Sequence, residues 1–217
     1  MTGAAIVEGA RRVASGVEGT RRAGRVAAGV VAAALVWTNP ADAAPERYVI
    51  DPAHFSIVFS ADHIGYADTW GMFLEAEGSF TFDPEARELS DLVVTVDPAS
   101  VFTNHDGRDG HLRGEDFLHV EAYPEARFVM TGAAPTGERT GTVTGDLTLR
   151  GVTRPVTLDV TWNKSGPYPF GDTYAIGISA ETTSRRSDFG MTYAVENGWV
   201  GDEIPIRIDL EAIRQDD

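Results

Sequence analysis

Between Val143 and Trp162 the chain alternates apolar and polar residues twice in succession, and no other feature restricts the fold as much. Val143, Leu147 and Leu149 share one parity against Thr144, Asp146, Thr148 and Arg150. Val156, Leu158, Val160 and Trp162 then share one against Thr157, Asp159 and Thr161. Successive side chains of a strand point to opposite faces, so a period of two reads as a strand with one buried and one solvated face. Function becomes a question of what the apolar face encloses.

The same alternation recurs along the chain. Phe55, Ile57, Phe59 and Ala61 form one apolar row; Met72, Leu74, Ala76, Gly78, Phe80 and Phe82 another; Leu92, Val94 and Val96 a third. Ala126, Phe128 and Met130 follow, then the two strands above, then Tyr174, Ile176, Ile178 and Ala180, and finally Ile204, Ile206, Ile208 and Leu210. These rows predict eight antiparallel strands, and turn signals such as Asp83-Pro84, Gly137 and Gly166-Pro167 separate them as in an all-β barrel or sandwich. An eight-stranded barrel has an interior just wide enough for its own side chains or one small ligand. Ala61, Ala76, Gly78, Gly145 and Ala180 sit on the apolar parity and leave room there, whereas Phe59, Phe80, Phe82, Phe128 and Trp162 are bulky enough to fill it. The pattern allows either outcome.

The connection from Val101 to Pro124 is too long for a hairpin loop, and long loops in compact domains tend to be lids or binding loops. Leu112, Phe117 and Leu118 want something to cover, so this stretch is expected to cap one barrel mouth as a short helix or turn. A second irregular segment runs from Thr182 to Asn197. Arg108, Arg113, Arg185 and Arg186 lie in these segments beside Asp109, Asp116 and Asp188. A guanidinium suits bidentate pairing with carboxylate or phosphate, so these arginines either staple loops through pairs with Asp109 and Asp188 or reach a ligand's polar end.

Catalytic and metal chemistry find little support. His54, His63, His105, His111 and His119 show no zinc-binding spacing, and there is no cysteine to assist them. No G-x-S-x-G elbow is present, and the single lysine, Lys164, lies in a turn. No enzyme activity, metal or cofactor is expected.

The first 43 residues are of a different kind. Arg11, Arg12, Arg21, Arg22 and Arg25 precede an apolar run from Val26 to Trp37, followed by Ala41-Asp42-Ala43. A basic region, a short apolar run and an A-x-A site predict a secretory signal peptide, cleaved between Ala43 and Ala44, by either the general or the twin-arginine route. The run is too short for a membrane span of roughly 20 residues. Residues 44–217 then form one domain, exported to a periplasmic or extracellular space. That domain carries 30 Asp/Glu against 13 Lys/Arg, a formal charge of −17. Nucleic acid is excluded as a partner, because phosphate binding relies on lysine and arginine. Without cysteines there are no disulfides, and stability must come from the core.

Several motifs resemble one family in order along the chain. Tyr48-Val-Ile-Asp-Pro-Ala-His54 with His63-Ile-Gly65, Arg108-Asp-Gly-His-Leu-Arg113 with Asp116-Phe117, Tyr123-Pro124 with Phe128, the stretch from Gly145 to Val156, and Arg186-Ser-Asp-Phe-Gly-Met191 are similar to the signatures of the YceI-like secreted lipid-binding proteins. Phe55 and Arg185 depart from the serine and asparagine usual there. The resemblance runs from about Tyr48 to Arg214. It implies a lipocalin-like antiparallel barrel and, as ligand, a polyisoprenoid chain such as that of an isoprenoid quinone or polyprenyl phosphate.

On that reading the apolar interior is Phe59, Leu74, Phe80, Val94, Phe128, Leu147, Leu149, Leu158, Trp162, Ile176, Ile178, Ile206 and Ile208, and the polar mouth is His54, Arg108, His111 and Arg186. A buried methylene contributes ~0.8 kcal/mol, so one isoprene unit contributes at most roughly 4 kcal/mol. Two or three units support about micromolar binding after entropic losses. The rivals are a structural or stress-response protein with a filled barrel, and a hydrolase or isomerase using the 105–119 loop. A homodimer is compatible with the sequence.

Overall fold

The computed structural model describes residues 44–215, so the signal-peptide expectation lies outside the described residues. Ten strands are present among them: β1 (Glu46–His63), β2 (Ala67–Phe73), β3 (Ala76–Asp83), β4 (Glu88–Val96), β5 (Val101–Phe102), β6 (Ala126–Pro135), β7 (Thr140–Leu149), β8 (Val152–Pro167), β9 (Tyr174–Arg185) and β10 (Glu203–Arg214). The one α-helix among the described residues, α1 (Asp106–Arg113), sits in the long connection. All pairings are antiparallel.

The strands close into a ring of eight: β1, β3, β4, β6, β7, β8, β9 and β10, with β10 returning to β1. The chain is therefore an eight-stranded antiparallel barrel with a short helix, and it differs from the sequence expectation at one stave. The apolar row from Met72 to Phe82 is two strands, not one. β3 pairs with the lower part of β1, placing Tyr48 opposite Phe80, and β2 pairs with the upper part, placing Phe59 opposite Gly71. The break at Leu74–Glu75 shifts the inward parity: Thr69, Gly71 and Phe73 face in along β2, while Met72 and Leu74 face out. Leu74 is 54% exposed and does not belong to the interior.

Local chemistry accounts for the joints. The β7–β8 hairpin turns on Arg150-Gly151 with φ of 52° and 71°, the two-residue turn whose twist matches that of its strands. The β1–β2 hairpin turns on three residues, Ile64 (φ 59°), Gly65 (φ 72°) and Tyr66, whose N–H donates to the His63 carbonyl at 3.1 Å. Ile64 is β-branched and costs strain there. His105 Nδ1 caps α1 by accepting from the Arg108 N–H at 3.1 Å.

The cap is tied down by arginines bonded to backbone carbonyls. Arg113 donates to the carbonyls of Ala99 (2.7 Å) and Val101 (2.8 Å), and Arg150 to those of Glu115 (2.7 Å) and Gly190 (3.0 Å). Beneath the cap, Val101, Phe117, Leu118, Phe189 and Met191 form one buried cluster, and a second gathers Tyr48, Phe80, Ile176 and Ala212 further down the barrel. Tyr48 is 1% exposed and stacks on Phe80 at 5.4 Å between ring centroids. Burial, aided by the Glu46 carboxylate that accepts its hydrogen bond at 3.2 Å, pushes the Tyr48 phenol above its ordinary range.

Candidate functional site

The upper half of the barrel, beneath the cap, is hollow. A cavity of about 420 Å³ is walled by Ile57, Phe59 and Ala61 of β1, Phe73 of β2, Leu147 and Leu149 of β7, Ile204 and Ile206 of β10, and the cap residues Val101, Leu112, Phe117, Leu118, Phe189 and Met191. Its wall is overwhelmingly apolar. It reaches solvent between the exposed side chains of Ile64, Tyr193 and Trp199, where the backbone carbonyl of Trp199 accepts the Ile64 N–H at 3.1 Å.

The polar lining is sparse: Asp62, His63, Thr69, Arg108, His111, Ser184 and Arg186. His111 stands edge-on between the rings of Phe117 (5.0 Å) and Tyr193 (4.9 Å), its Nε2 3.0 Å from Asp116 Oδ2. Arg108 donates from Nε to the Thr103 hydroxyl and from Nη2 to the Thr103 carbonyl, both at 2.7 Å.

Arg186 is 5% exposed and lies against the Phe117 ring. It donates from Nε to the carbonyl of Gly201 (2.7 Å), from Nη1 to Met191 (2.8 Å) and from Nη2 to Val200 (2.8 Å). Burial holds this guanidinium below its ordinary pKa. The three carbonyls belong to the connection between β9 and β10, in which Phe189, Met191 and Val200 line the cavity, so Arg186 works first as a staple.

Among the residues expected to bind a ligand, Phe59, Leu147, Leu149 and Ile206 line this cavity, with Arg108, His111 and Arg186 at its polar side. Phe80, Phe128 and Ile176 are buried lower down, in neither cavity wall. Val94, Leu158, Ile178 and Ile208 are half-buried and face inward through their register partners, Val94 opposite Phe128, Leu158 opposite Val143, Ile178 opposite Trp162 and Ile208 opposite Ile57. Trp162 lines a separate cavity of about 540 Å³ at the other end, with Phe82, Leu89, Val143 and Val160. Its indole N–H is buried without a partner among the described residues.

Three expectations need correcting. The inward glycines do not leave room, because neighbours fill it: the ring of Phe128 lies over Gly145, and Ile50 and the β4 backbone press on Gly78. His54 is not at the mouth. It sits on a bulge of β1 between Ile50 and Phe55, on the outer side of the β1–β10 seam, hydrogen bonded to Asp51 at 2.7 Å. The loop aspartates do not pair with their neighbouring arginines. Asp109 accepts from the Thr103 N–H (2.8 Å) and hydroxyl, and meets Arg108 only through that threonine. Asp188 is exposed, while Asp202 holds Ser187 and supplies the negative charge near Arg186.

The Asp51–His54 hydrogen bond raises the His54 pKa and, with the Ala53 N–H, lowers that of Asp51. Glu211 joins them, and the three offer ligand atoms within 4.8 Å of one another. Sequence spacing could not bring Glu211 to His54, since they meet only through β1–β10 pairing. Tyr193 and Trp199 were likewise missed, because an irregular segment has no periodicity to show which side chains turn inward.

The geometry has its counterpart in comparisons with known proteins. The YceI-like domain model matches residues 48–212. The chain belongs to the YceI-like family. Among its relatives, a UPF0312 protein of Pseudomonas savastanoi pv. phaseolicola is 44% identical over 146 residues, covering 66% of this chain and 76% of the relative. A UPF0312 protein of Pseudomonas fluorescens is 36% identical, covering 88% and 97%. The YCEI protein of Campylobacter jejuni superimposes with a TM-score of 0.66 at 29% identity, covering 71% of this chain and 90% of that one. A polyisoprenoid binding domain from Saccharophagus degradans, implicated in plant cell wall breakdown, shares the fold with a TM-score of 0.58 at 14% identity, covering 79% and 100%.

The two departures from the YceI-like signatures fall outside the cavity. Arg185 points to solvent and pairs with Glu203 at 3.2 Å, and Phe55 lies opposite Leu210 beside the bulge.

Proposed function

We propose that this YceI-like protein binds an isoprenoid lipid without catalysis, holding the prenyl tail in the upper cavity and sequestering or carrying it through the aqueous space outside the cytoplasmic membrane. The observation that carries the reading is the 420 Å³ apolar cavity under the cap. An apolar cavity gains free energy from any greasy occupant, because burial is non-directional. A branched prenyl chain suits it. The S. degradans neighbour with this fold is a polyisoprenoid binding domain, which favours the same class of ligand here.

The polar end of the ligand rests near Arg108 and His111, with Arg186 behind them. An isoprenoid quinone would accept hydrogen bonds from these groups, and a polyprenyl phosphate would pair with the guanidinium of Arg108. Export is consistent with the leader read in residues 1–43, and no helix among the described residues is long and apolar enough to cross a membrane. No metal or other cofactor is invoked, and the protein acts alone or as a homodimer.

The test is direct. The protein is purified from its host, extracted with organic solvent, and the extract examined by mass spectrometry. An isoprenoid recovered in repeated preparations is the expected result. Bulk phospholipid alone would overturn the proposal.

A further inference from the structure

The ladder that closes the barrel is interrupted at one point. β1 pairs with β10 from Tyr48 to Ile50, where Ile50 meets Ala212, and pairing resumes with Phe55 opposite Leu210. Asp51, Pro52, Ala53 and His54 therefore stand opposite Glu211 alone. A bulge re-aims the side chains it carries. This one brings Asp51 and His54 to Glu211 of the other strand, with ligand atoms of all three within 4.8 Å of one another.

The surroundings hold this cluster in place and leave part of it unsatisfied. Asp51 Oδ1 accepts the Ala53 N–H at 2.9 Å, and its Oδ2 meets His54 Nδ1 at 2.7 Å. The Tyr168 ring, from the β8–β9 connection, lies 6.5 Å from the His54 ring. The Glu211 carboxylate, aided by burial, raises the pKa of the Tyr168 phenol. On β9 the residue opposite Glu211 is Gly177, which puts no side chain beside the carboxylate. Glu211 Oε2 is buried and has no hydrogen-bond partner among the described residues. Nor does an arginine or lysine pair with either carboxylate among those residues. A buried carboxylate oxygen with no donor is costly, and a bound ion is one of the few things that satisfies it.

We infer that Asp51, His54 and Glu211 form a binding site for a divalent metal ion of the zinc type, which clips β1 to β10 where the ladder is missing. One imidazole and two carboxylates suit zinc with water in the fourth position, whereas calcium and magnesium take oxygen ligands. Bonds of about 2 Å to a tetrahedral ion bring the ligand atoms to about 3.3 Å from one another. That is a small closure for an imidazole that is 51% exposed. Coordination needs a neutral imidazole, so the proton shared by Asp51 and His54 leaves to solvent. The site is on the outer side of the barrel seam, and it stands or falls independently of the isoprenoid reading.

The test is a calorimetric titration of the chelator-treated full chain with zinc chloride, and with magnesium chloride for comparison. One zinc ion per chain should bind more tightly than about 0.1 mM, with magnesium giving no saturable heat. Zinc at a hundredfold above Kd should raise Tm by about 5–10 °C. Glu211→Gln and His54→Gln should each weaken zinc at least about tenfold. His119→Gln, which removes the histidine 4.0 Å from Glu115, should leave the affinity within about twofold. If either glutamine variant fails to fold, Asp51→Asn decides in its place, with the same loss expected. Zinc binding that these variants leave unchanged, or that disappears with His119→Gln instead, would overturn the inference. So would the lack of saturable binding below about 1 mM zinc.

Discussion

Replacing Arg186 by methionine separates two roles for the buried guanidinium, because methionine keeps the apolar stem and removes every donor. The wild-type side chain satisfies three carbonyls, of Gly201, Met191 and Val200, at 2.7, 2.8 and 2.8 Å. A hydrogen bond to a charged group contributes about 1.5–3 kcal/mol net. Three of them would sum to more than the real loss, because the variant also escapes the desolvation cost of a buried cation. Two of the carbonyls are only partly buried and can recover water.

What remains is a destabilisation of about 3–5 kcal/mol, the range for breaking a buried charged network. For a domain of this size that lowers Tm by roughly 10 °C. Urea unfolding followed by near-ultraviolet circular dichroism gives the free energy directly. A variant within about 1 kcal/mol of wild type would refute the stapling role. If it were also emptied of lipid, Arg186 would be a headgroup contact instead.

The remaining predictions concern two glycines and the bulge. Gly71→Ala pushes its methyl into the Phe59 ring, which can swing into the upper cavity, so stability should change by under about 1 kcal/mol while bound lipid measured after extraction falls. Gly145→Ala meets the Val129 carbonyl at 2.6 Å as well as the Phe128 ring, and backbone cannot swing away; urea unfolding should register a loss of about 1–3 kcal/mol. Equal costs for the two would refute the distinction. An NMR titration of His54 should give a pKa above the ordinary histidine value, and Asp51→Asn should lower it. The sign follows from both partners: the raised His54 pKa makes its contribution fade as pH climbs through that value, and the lowered Asp51 pKa makes it fade as pH falls through that one. The bulge is therefore best held between the ordinary pKa values of the two groups, about 4 to 6.5.

Alternation along the chain determined most of the architecture. Parity is local, so Val143 to Leu149 and Val156 to Trp162 could be read as strands without knowing their partners, and one-sided apolar rows of such strands bury their faces most simply by closing on themselves. The apolar residues of the 101–124 connection likewise foretold a cap. Where apolar residues ran on in one unbroken alternation across two strands of opposite inward parity, as from Met72 to Phe82, the pattern alone did not reveal the break that turns Leu74 outward.

Only the tertiary structure decided where the barrel is hollow. Parity says that Phe128 and Gly145 face inward, but not that the ring of one lies over the other, since that depends on the register between β6 and β7. The partners of the arginines were hidden for a related reason. Arg113, Arg150 and Arg186 bond to backbone carbonyls, which every residue carries and no sequence pattern marks. Which carbonyls are left free is settled only once the loops have folded over the barrel mouth.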